Sequence, residues 1–355
     1  HPFQSLDKVL TGVSIGTVNI SDGQVFLRSL KDSAWNELSV EKLDAYLYGV
    51  RLDSTITMQP ENLFCAQSSV ISVNELRQTS SNGQMKYRVG KAYFHPHQQI
   101  AMMQGVDIAN RYLEDDPKHF SVFAPQVALK GVDFYKFWVQ KEVAIDSMYV
   151  GTPRLTTYSG NREDKREYYE YELPNRLTKG YGRWNIHTTH FDKGEVRIGK
   201  VDSLGYQSFT VVDGVNGDVY NTEVVRGEKP AFLYSEAVQL ELNDFSRTLK
   251  DSMNSVYAKR IQIDPINSLV KIDSFCYLPL YEAIKYAGQF GHQADWIRMT
   301  GASVNMLEFD FKELLYYDRF VAELVTINGA TVNVFTDKTL PPPPYEVKPM
   351  PQDIL

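Results

Sequence analysis

Residues 68–100 read SSVISVNELRQTSSNGQMKYRVGKAYFHPHQQI, and residues 237–269 read AVQLELNDFSRTLKDSMNSVYAKRIQIDPINSL. The two stretches align without a gap, and each residue of the second carries a number 169 higher than its counterpart. Asn74 falls on Asn243, for example. Self-similarity at a fixed offset is typical of repeat architectures, in which one structural unit recurs along the chain. The alignment therefore predicts two tandem copies of one unit.

Two further blocks extend the similarity along the chain. Residues 126–160 align on residues 303–337 at an offset of 177, and residues 22–27 resemble residues 193–198 at an offset of 171. Apolar alternation alone can produce one local match, but three collinear blocks at nearly one offset are harder to produce by chance. The repeat is therefore expected to cover most of the chain.

Within each copy the prevailing pattern is that of β-strands. Apolar residues stand two apart with a polar or large residue between them, which is the period of a half-buried strand. The pairs of this kind, which also form the candidate lipid-groove residues, are Val25 and Leu27, Val196 and Ile198, Leu240 and Leu242, Ile261 and Ile263, and Val332 and Val334. Because a one-residue slip turns every side chain to the opposite face, these residues are expected to face one side together.

Glycine and asparagine between the apolar runs predict tight hairpin turns, since both residues tolerate positive φ. Such turns are expected at residues 21–23, 151–160 and 327–330. Strands joined by short turns pair antiparallel, so the pattern predicts antiparallel meanders.

Helical patterns are short and confined to one region of each copy. Residues 280–290, LYEAIKYAGQF, follow Pro279 and predict a helix that ends near Gly288 or Gly291. Residues 108–115 are interpreted as its shorter counterpart.

A second helical signal begins at Asp133 and recurs at Asp310, where each aspartate precedes apolar residues spaced for one helical face. An aspartate in this position is typical of an N-cap, which accepts hydrogen bonds from the first backbone N–H groups of a helix. The recurrence thus has a structural explanation without any chemistry. Together the patterns predict a mainly β fold: two tandem repeats of antiparallel strands with short crossing helices, forming an elongated curved sheet or an open groove.

The repeat divides the chain into five parts. The predicted parts are a lead-in at residues 1–12, a first β repeat at 13–160, a charged and tyrosine-rich insertion at 161–185, a second β repeat at 186–338 and a proline-rich extended tail at 339–355. The first residue is His1 and not methionine, so the chain is interpreted as a fragment or processed form of a longer protein. Any membrane anchor is expected outside it, because no run of 18 or more apolar residues occurs.

Composition limits the partners that the chain is expected to bind. With 37 Lys and Arg against 44 Asp and Glu, the net charge of −7 argues against a nucleic-acid backbone as the main partner. Cys65 and Cys276 stand far apart in the sequence, which excludes a CxxC zinc site and leaves a disulfide between them open.

No catalytic or cofactor motif emerges from the sequence. His95 and His97 are the only pair with a spacing that suits metal ligands on a strand, but the aligned residues of the second copy are Asp264 and Ile266. A surface turn is the preferred interpretation, and no metal site is predicted. There is no G-x-S-x-G, P-loop or Rossmann glycine pattern, so the chain is predicted not to be an enzyme and to need no cofactor.

The second copy resembles a known family. Residues 288–297, GQFGHQADWI, residues 310–315, DFKELL, and residues 325–341, which close with NVFTDKTLP, are similar in order and spacing to segments of large AsmA-like envelope proteins of Bacteroidetes-type bacteria. The similarity is best over residues 253–351 and reaches the first copy only through the internal alignment. Residues 108–120 lack the Gly-Gln-x-Gly segment.

The resemblance implies a repeating β-groove with an apolar concave face and a wet outer face. In that family, lipid chains are thought to slide along the groove between two membranes while headgroups stay in water. The implied partners are phospholipid acyl chains and flanking repeats of the same polypeptide, and the implied location is the bacterial cell envelope, facing the periplasm. No catalytic residues belong to the family pattern.

Two functions from different classes remain open at this point. The first is a segment of a lipid-binding or lipid-transporting envelope scaffold. The second is a cell-surface adhesion or glycan-binding β-repeat protein, which would use exposed tyrosines such as Tyr168 and Tyr169 as stacking platforms. Whether the apolar face is open or covered distinguishes the two functions in a structure. An uncovered apolar face of several hundred Å² is rarely tolerated without a ligand. A closed sandwich is the other way to cover it.

Overall fold

The strands of both copies form one sheet. The computed structural model describes residues 12–31, 34–53, 64–79, 85–110, 120–159, 181–201, 207–225, 234–249, 253–317 and 319–343. The strands of the first copy are β1 (Gly12–Lys31), β2 (Ala34–Asp53), β3 (Ser68–Thr79), β4 (Met85–His95), β5 (Ile100–Asn110), β6 (Phe120–Lys130), β7 (Glu142–Gly151) and β8 (Arg154–Ser159). Those of the second are β9 (Arg183–Val201), β10 (Gln207–Val225), β11 (Ala237–Thr248), β12 (Asn254–Asp264), β13 (Leu269–Pro279), β14 (Asp295–Leu307), β15 (Leu324–Asn328) and β16 (Thr331–Thr336).

Neighbouring strands in the chain are neighbours in the sheet, except at the junction of the copies and at β15 and β16. The order is β1-β2-β3-β4-β5-β6-β7-β9-β10-β11-β12-β13-β14-β15, with β8 between β6 and β9 and with β16 beside β14. All pairs are antiparallel except those of β7 and β8 with β9, which are parallel. The expectation of purely antiparallel meanders is therefore wrong at this junction.

The predicted fold class is confirmed, and the tandem repeat is visible in the strand bounds. Strands β3, β4 and β5 begin and end 169 residues before β11, β12 and β13, and β8 begins and ends 177 residues before β16. Backbone positions with positive φ recur at the same offsets. They are Cys65 and Tyr234, Glu75 and Asp244, Gln99 and Ser268, and Gly105 and Ser274 at 169, and Gly131 and Glu308, and Thr152 and Gly329 at 177.

The predicted hairpin turn at residues 21–23 is wrong, because these residues lie inside β1. Asp22 has φ of 55°, and the strand pairing shifts register between Ile20 and Gly23. This is a β-bulge, in which an extra residue bends the strand and increases its twist. Lys193, with φ of 51°, forms the corresponding bulge in β9. Positive φ followed by glycine suits a bulge as well as a turn, which explains the error.

The other two predicted hairpins are also wrong. Both β7 and β8 pair with β6, and neither pairs with the other across residues 151–154. Likewise both β15 and β16 pair with β14 across residues 328–331. Thr152 and Gly329 therefore mark breaks at which one long edge strand is divided into two collinear segments.

Short helical segments lie between strands. They are a 3₁₀ turn (Pro96–Gln98), a π-helical turn (Lys136–Gln140), α1 (Ala283–Phe290) and α2 (Phe311–Tyr317). Helix α1 ends as predicted, with Gly291 at its C-cap and φ of 68°. The predicted counterpart at residues 108–115 is wrong for residues 108–110, which belong to β5, and residues 111–115 lie outside the described part.

The expected boundaries of the copies differ from the strand bounds by a few residues. β1 begins at Gly12, within the expected lead-in, and β9 begins at Arg183, within the expected insertion. Residues 161–180 of that insertion, residues 1–11 of the lead-in and residues 344–355 of the tail lie outside the described residues. Strand β9 thus begins within the last residues that the sequence assigned to the insertion.

Candidate functional site

One unbroken row of apolar residues crosses the sheet. Residues that pair directly in adjacent strands lie on the same face. Following the pairs from β1 to β15 gives Gly23, Leu43, Val73, Ala92, Met103, Val127, Val150, Phe191, Gly217, Leu240, Ile263, Val270, Met306 and Val325. We call this the central row. At an inter-strand spacing of about 4.8 Å it extends for about 60 Å.

A second row runs beside the central row. It consists of Leu27, Leu38, Gln78, Tyr87, Ile108, Val122, Leu155, Val196, Val212, Phe245 and Ala258. Gln78 is its one polar member. Val73 of the central row and Leu38 of the second row belong to one packed cluster, which places the two rows on the same face.

The opposite face is polar. One row on it consists of Asn216, Glu241, Gln262, Lys271, Asn305 and Thr326. Another contains Arg77, Arg88 and Asp107, which pair directly across β3, β4 and β5. Arg260 donates to Asp273 on this face at 2.8 and 2.6 Å. The sheet therefore separates an apolar side from a charged side over both copies.

The ten predicted groove residues differ in exposure. Leu240 and Ile263 lie in the central row, and Leu27 and Val196 lie in the second row. Six of the ten are partly buried: Val25, Val196, Leu240, Leu242, Ile261 and Ile263. Four are exposed: Leu27, Ile198, Val332 and Val334. The exposed residues of β1 and β16 lie on the outermost strands, where the sheet supplies a neighbour on one side only.

Within the described residues, the buried side chains of the apolar face pack against neighbours in the same sheet. The strands there make their main contacts with their neighbours in the sheet and with the short helical segments at their ends. The side chains of the face pack laterally in clusters, one around Val73, one around Val127 and one around Val304. None of these clusters joins distant strands of the sheet, as the closed sandwich considered from the sequence would require.

Aromatic residues cover one end of the face in each copy. Phe134 is buried and stacks on Trp138 at 5.4 Å between ring centroids, and Trp138 meets Phe64 edge to face at 4.7 Å. In the second copy, Phe309 meets Phe311 at 4.8 Å. These clusters pack against Ala101 and Val270 at the strand ends. They close the end of the apolar face, and in the second copy the cluster includes Val270 and Met306 of the central row. Six residues of the central row are buried: Val73, Ala92, Val127, Val150, Val270 and Met306.

The two predicted caps hold these aromatic turns. Asp133 Oδ1 accepts from the backbone N–H of Lys136 at 2.9 Å. Asp310 Oδ1 accepts from the N–H groups of Lys312 and Glu313 at 2.9 and 3.0 Å. This is N-cap geometry, so each aspartate positions the aromatic residue that follows it.

Glu75 and Asp244, which are aligned positions with positive φ, carry carboxylates that accept hydrogen bonds from aligned partners in the two copies. Glu75 accepts from Arg88 Nε and Nη2 at 3.0 Å each, and the aligned Asp244 accepts from the hydroxyl of Tyr257 at 2.8 Å. The hydrogen bond from Arg88 lowers the pKa of Glu75. The hydrogen bond to Asp244 raises the pKa of Tyr257. These hydrogen bonds hold both positions from the polar side of the sheet.

Residues with positive φ also explain why the sequence pattern missed some residues of the apolar face. Met103 and Val106 both face the apolar side although they are three residues apart, because Gly105 at φ of 61° interrupts the alternation without a shift in the pairing. Phe191 was missed for the same reason, since Lys193 separates it from Val196. A glycine inside a strand, such as Gly105, can mark an irregularity of the strand. Only the pairing of β5 with β4 and β6 shows what this glycine does.

The histidines and cysteines do not form a site. His95 Nδ1 accepts from the backbone N–H of Gln98 at 3.3 Å, so His95 ends a strand and caps the 3₁₀ turn, in agreement with the preferred interpretation as a turn. Among the residues that the structure describes, no group of three or more His, Cys, Asp or Glu could hold a metal ion. Cys65 and Cys276 are thiols and not a disulfide. No helix in the described ranges is long and apolar enough to cross a membrane.

Comparison with known proteins adds no assignment. No family model, no curated protein and no solved structure matches the chain.

Proposed function

We propose that the chain is a segment of an AsmA-like cell-envelope scaffold whose apolar sheet face binds phospholipid acyl chains. In this proposal the face forms a groove, and the lipid lies on the central row with its headgroup in water. The protein would face the periplasm, and the groove would serve lipid binding or transport between two membranes. Flanking repeats of the same polypeptide would lengthen it.

The observation that carries the proposal is the unbroken central row. Six of its apolar side chains stay partly accessible: Leu43, Met103, Phe191, Leu240, Ile263 and Val325. Apolar groups in contact with water are costly, at about 25 cal/mol for each Å² that a ligand could bury. A row of about 60 Å is twice the thickness of the hydrocarbon core of a bilayer, about 30 Å. It exceeds what a single small ligand would need. An acyl chain spans about half of that core, about 15 Å, so several could lie end to end along the row. Acyl chains also suit its lack of polar anchors.

The chemistry of the row also favours a ligand that is recognised by its apolar character. Twelve of its fourteen members have apolar side chains and the other two, Gly23 and Gly217, have none. Specific small-molecule sites add a few well-placed polar groups that fix orientation. The central row supplies no such group, which suits a ligand that slides more than one that is held in a single pose.

Bound phospholipid is the test. The chain should be purified without detergent, and native mass spectrometry should find phospholipid masses on the folded protein. A fluorescent phospholipid titrated into the delipidated chain should bind. Purified chain that carries no lipid and does not bind the probe would overturn the proposal.

A matched pair of variants locates the binding. Ile263→Asp places a carboxylate in the central row, where burial against acyl chains without a partner is unfavourable, and should weaken probe binding at least tenfold. Gln262→Asp makes the same change on the neighbouring residue of β12, which lies in the polar row, and should change binding less than twofold. Thermal melting of both variants identifies any loss that comes from unfolding.

The glycan-binding alternative depended on Tyr168 and Tyr169, which lie outside the described residues.

A further inference from the structure

Two edges of the sheet carry no partner strand among the described residues. β1 pairs only with β2 there, and β15 and β16 pair only with β14. Natural edge strands are usually protected by charged residues or proline, because their unpaired N–H and C=O groups otherwise recruit another strand. Residues 324–336, LVTINGATVNVFT, contain neither a charged residue nor a proline. The β15–β16 edge therefore lacks the usual protection.

The equivalent edge of the first copy has a partner. β7 and β8 stand where β15 and β16 stand in the repeat, and both pair in parallel with β9. The pairing keeps one register throughout, with Glu142 opposite Arg183 and Arg154 opposite Glu195. β9 in turn corresponds to β1, because the bulges at Asp22 and Lys193 are aligned.

We propose that the β15–β16 edge binds β1 of a second copy of this chain, in parallel and head to tail. The contact would repeat between two molecules the junction that joins the two copies within one molecule. The proposal concerns assembly and does not depend on what the apolar face binds. It applies to this chain as given, because a flanking repeat of the same polypeptide would occupy the same edge.

The register of the internal junction predicts which residues would meet. Transferring the pairs of β7 and β8 with β9 onto the free edges places apolar side chains opposite apolar side chains. The predicted pairs are Val325 with Val18, Ile327 with Ile20, Val332 with Val25, and Val334 with Leu27. The match follows from the likeness of the two copies, and it shows that the free edges keep the apolar pattern of the internal junction.

The same residues account for much of the exposed apolar surface at the two edges. Val334 is 62% exposed and Leu27 is 60% exposed, while Ile20, Val325, Ile327 and Val332 are also exposed. Exposed apolar side chains that cluster along an unprotected edge are typical of a protein contact. Pairing would bury them and would continue the apolar face from one molecule to the next. Because the contact joins two different surfaces, it does not close a dimer and would continue into chains of molecules.

Cysteine cross-linking tests the register. On the polar face the proposal places Asn333 directly opposite Phe26 of the second copy. Directly opposite strand residues lie about 5 Å apart, within the Cα separation that a disulfide requires. Asn333→Cys and Phe26→Cys are made in separate chains that both carry Cys276→Ser, while Cys65 is buried. Mixing the two chains under mild oxidation should give a covalent heterodimer.

Asn19→Cys is the control for Phe26→Cys. It lies seven residues away in β1, about 23 Å along the strand, so its cross-link with Asn333→Cys should form at least tenfold less. Sedimentation velocity of the unmodified chain should also show association that increases with concentration, and Thr326→Lys combined with Asn333→Lys should abolish it. Equal cross-linking of both pairs, or an unmodified chain that stays monomeric at several hundred micromolar, would overturn the proposal.

Discussion

Gly217 is the residue whose substitution tests the strand pairing of the central row most severely. It lies in β10 between Phe191 and Leu240, with φ of 149°, a conformation that side chains rarely adopt. A Cβ atom there would lie 2.1 Å from the carbonyl oxygen of Gln239 and 2.9 Å from the Cα of Leu240. Both are backbone atoms of β11, which cannot move aside without breaking the pairing.

Two contributions determine how much Gly217→Ala should lower the free energy of unfolding. The backbone conformation costs a residue with a side chain about 1–3 kcal/mol, and forcing a methyl group into packed backbone costs about 1–3 kcal/mol more. Gly217→Ala should therefore lower the free energy of unfolding by about 2–6 kcal/mol. Gly16→Ala is the control, because a Cβ atom at Gly16 meets nothing within 4 Å. At such a site the same change should be neutral or stabilise by up to about 1 kcal/mol.

Urea denaturation followed by far-ultraviolet circular dichroism measures both variants against the parent chain. The midpoint for Gly217→Ala should fall clearly below that for Gly16→Ala, with similar slopes. If the two variants unfold within about 0.5 kcal/mol of each other, Gly217 does not adopt this conformation against β11, and the central row is broken at β10.

Three further changes probe the caps and bulges. Asp310→Ala removes the acceptor of two backbone N–H groups and should cost about 1 kcal/mol of stability in urea denaturation without changing phospholipid binding; lost binding at unchanged stability would contradict its role as a cap. Arg88 donates to Glu75 and lowers its pKa, so the stabilising effect of Glu75 is complete above the ordinary carboxylate range and is lost as pH falls through the lowered pKa. The melting temperature of Glu75→Gln should therefore fall less steeply in acid than that of the parent chain. An unchanged pH profile would refute this. Ser274 adopts φ of 54° where the first copy has Gly105, so Ser274→Gly should raise stability by about 0.5–1 kcal/mol in denaturation experiments, and a loss would show that the side chain is not strained.

The repeat and the strand content were predictable because they depend on local alternation. The pairs Leu240 and Leu242, and Ile261 and Ile263, keep the period of two within their strands. The alignment of residues 68–100 on residues 237–269 then carries the strand bounds from one copy to the other. Short-range periodicity and self-similarity are both readable from a single sequence.

The bulges were not predictable, because the same residues suit two structures. Asp22-Gly23 permits positive φ in a hairpin turn and equally in a bulge. The difference lies in whether the chain reverses, which depends on pairing with β2 over the full length of β1. A residue with positive φ also moves the apolar face by one residue without a shift in the pairing, as Asp244 does between Leu242 and Phe245, so simple alternation fails beyond it.

The parallel junction was hidden for a different reason. Pairing of β7 and β8 with β9 brings together strands that are separated by residues 160–182, and no local pattern specifies it. It also determines that the two copies share one sheet and one apolar face. The continuity of the candidate site therefore rests on a long-range contact that alternation could not reveal.

Photo-cross-linking of bound phospholipid tests most directly whether the central row carries acyl chains. A benzophenone amino acid is placed in turn at Met103, Phe191 and Ile263, which lie in the row and span both copies, and at the preceding residues Met102, His190 and Gln262, which turn to the polar face. After delipidated protein is loaded with phospholipid and irradiated, mass spectrometry should find lipid adducts at the three row positions and at none of their neighbours. Equal labelling of both sets, or labelling at the polar-face positions alone, would contradict the account.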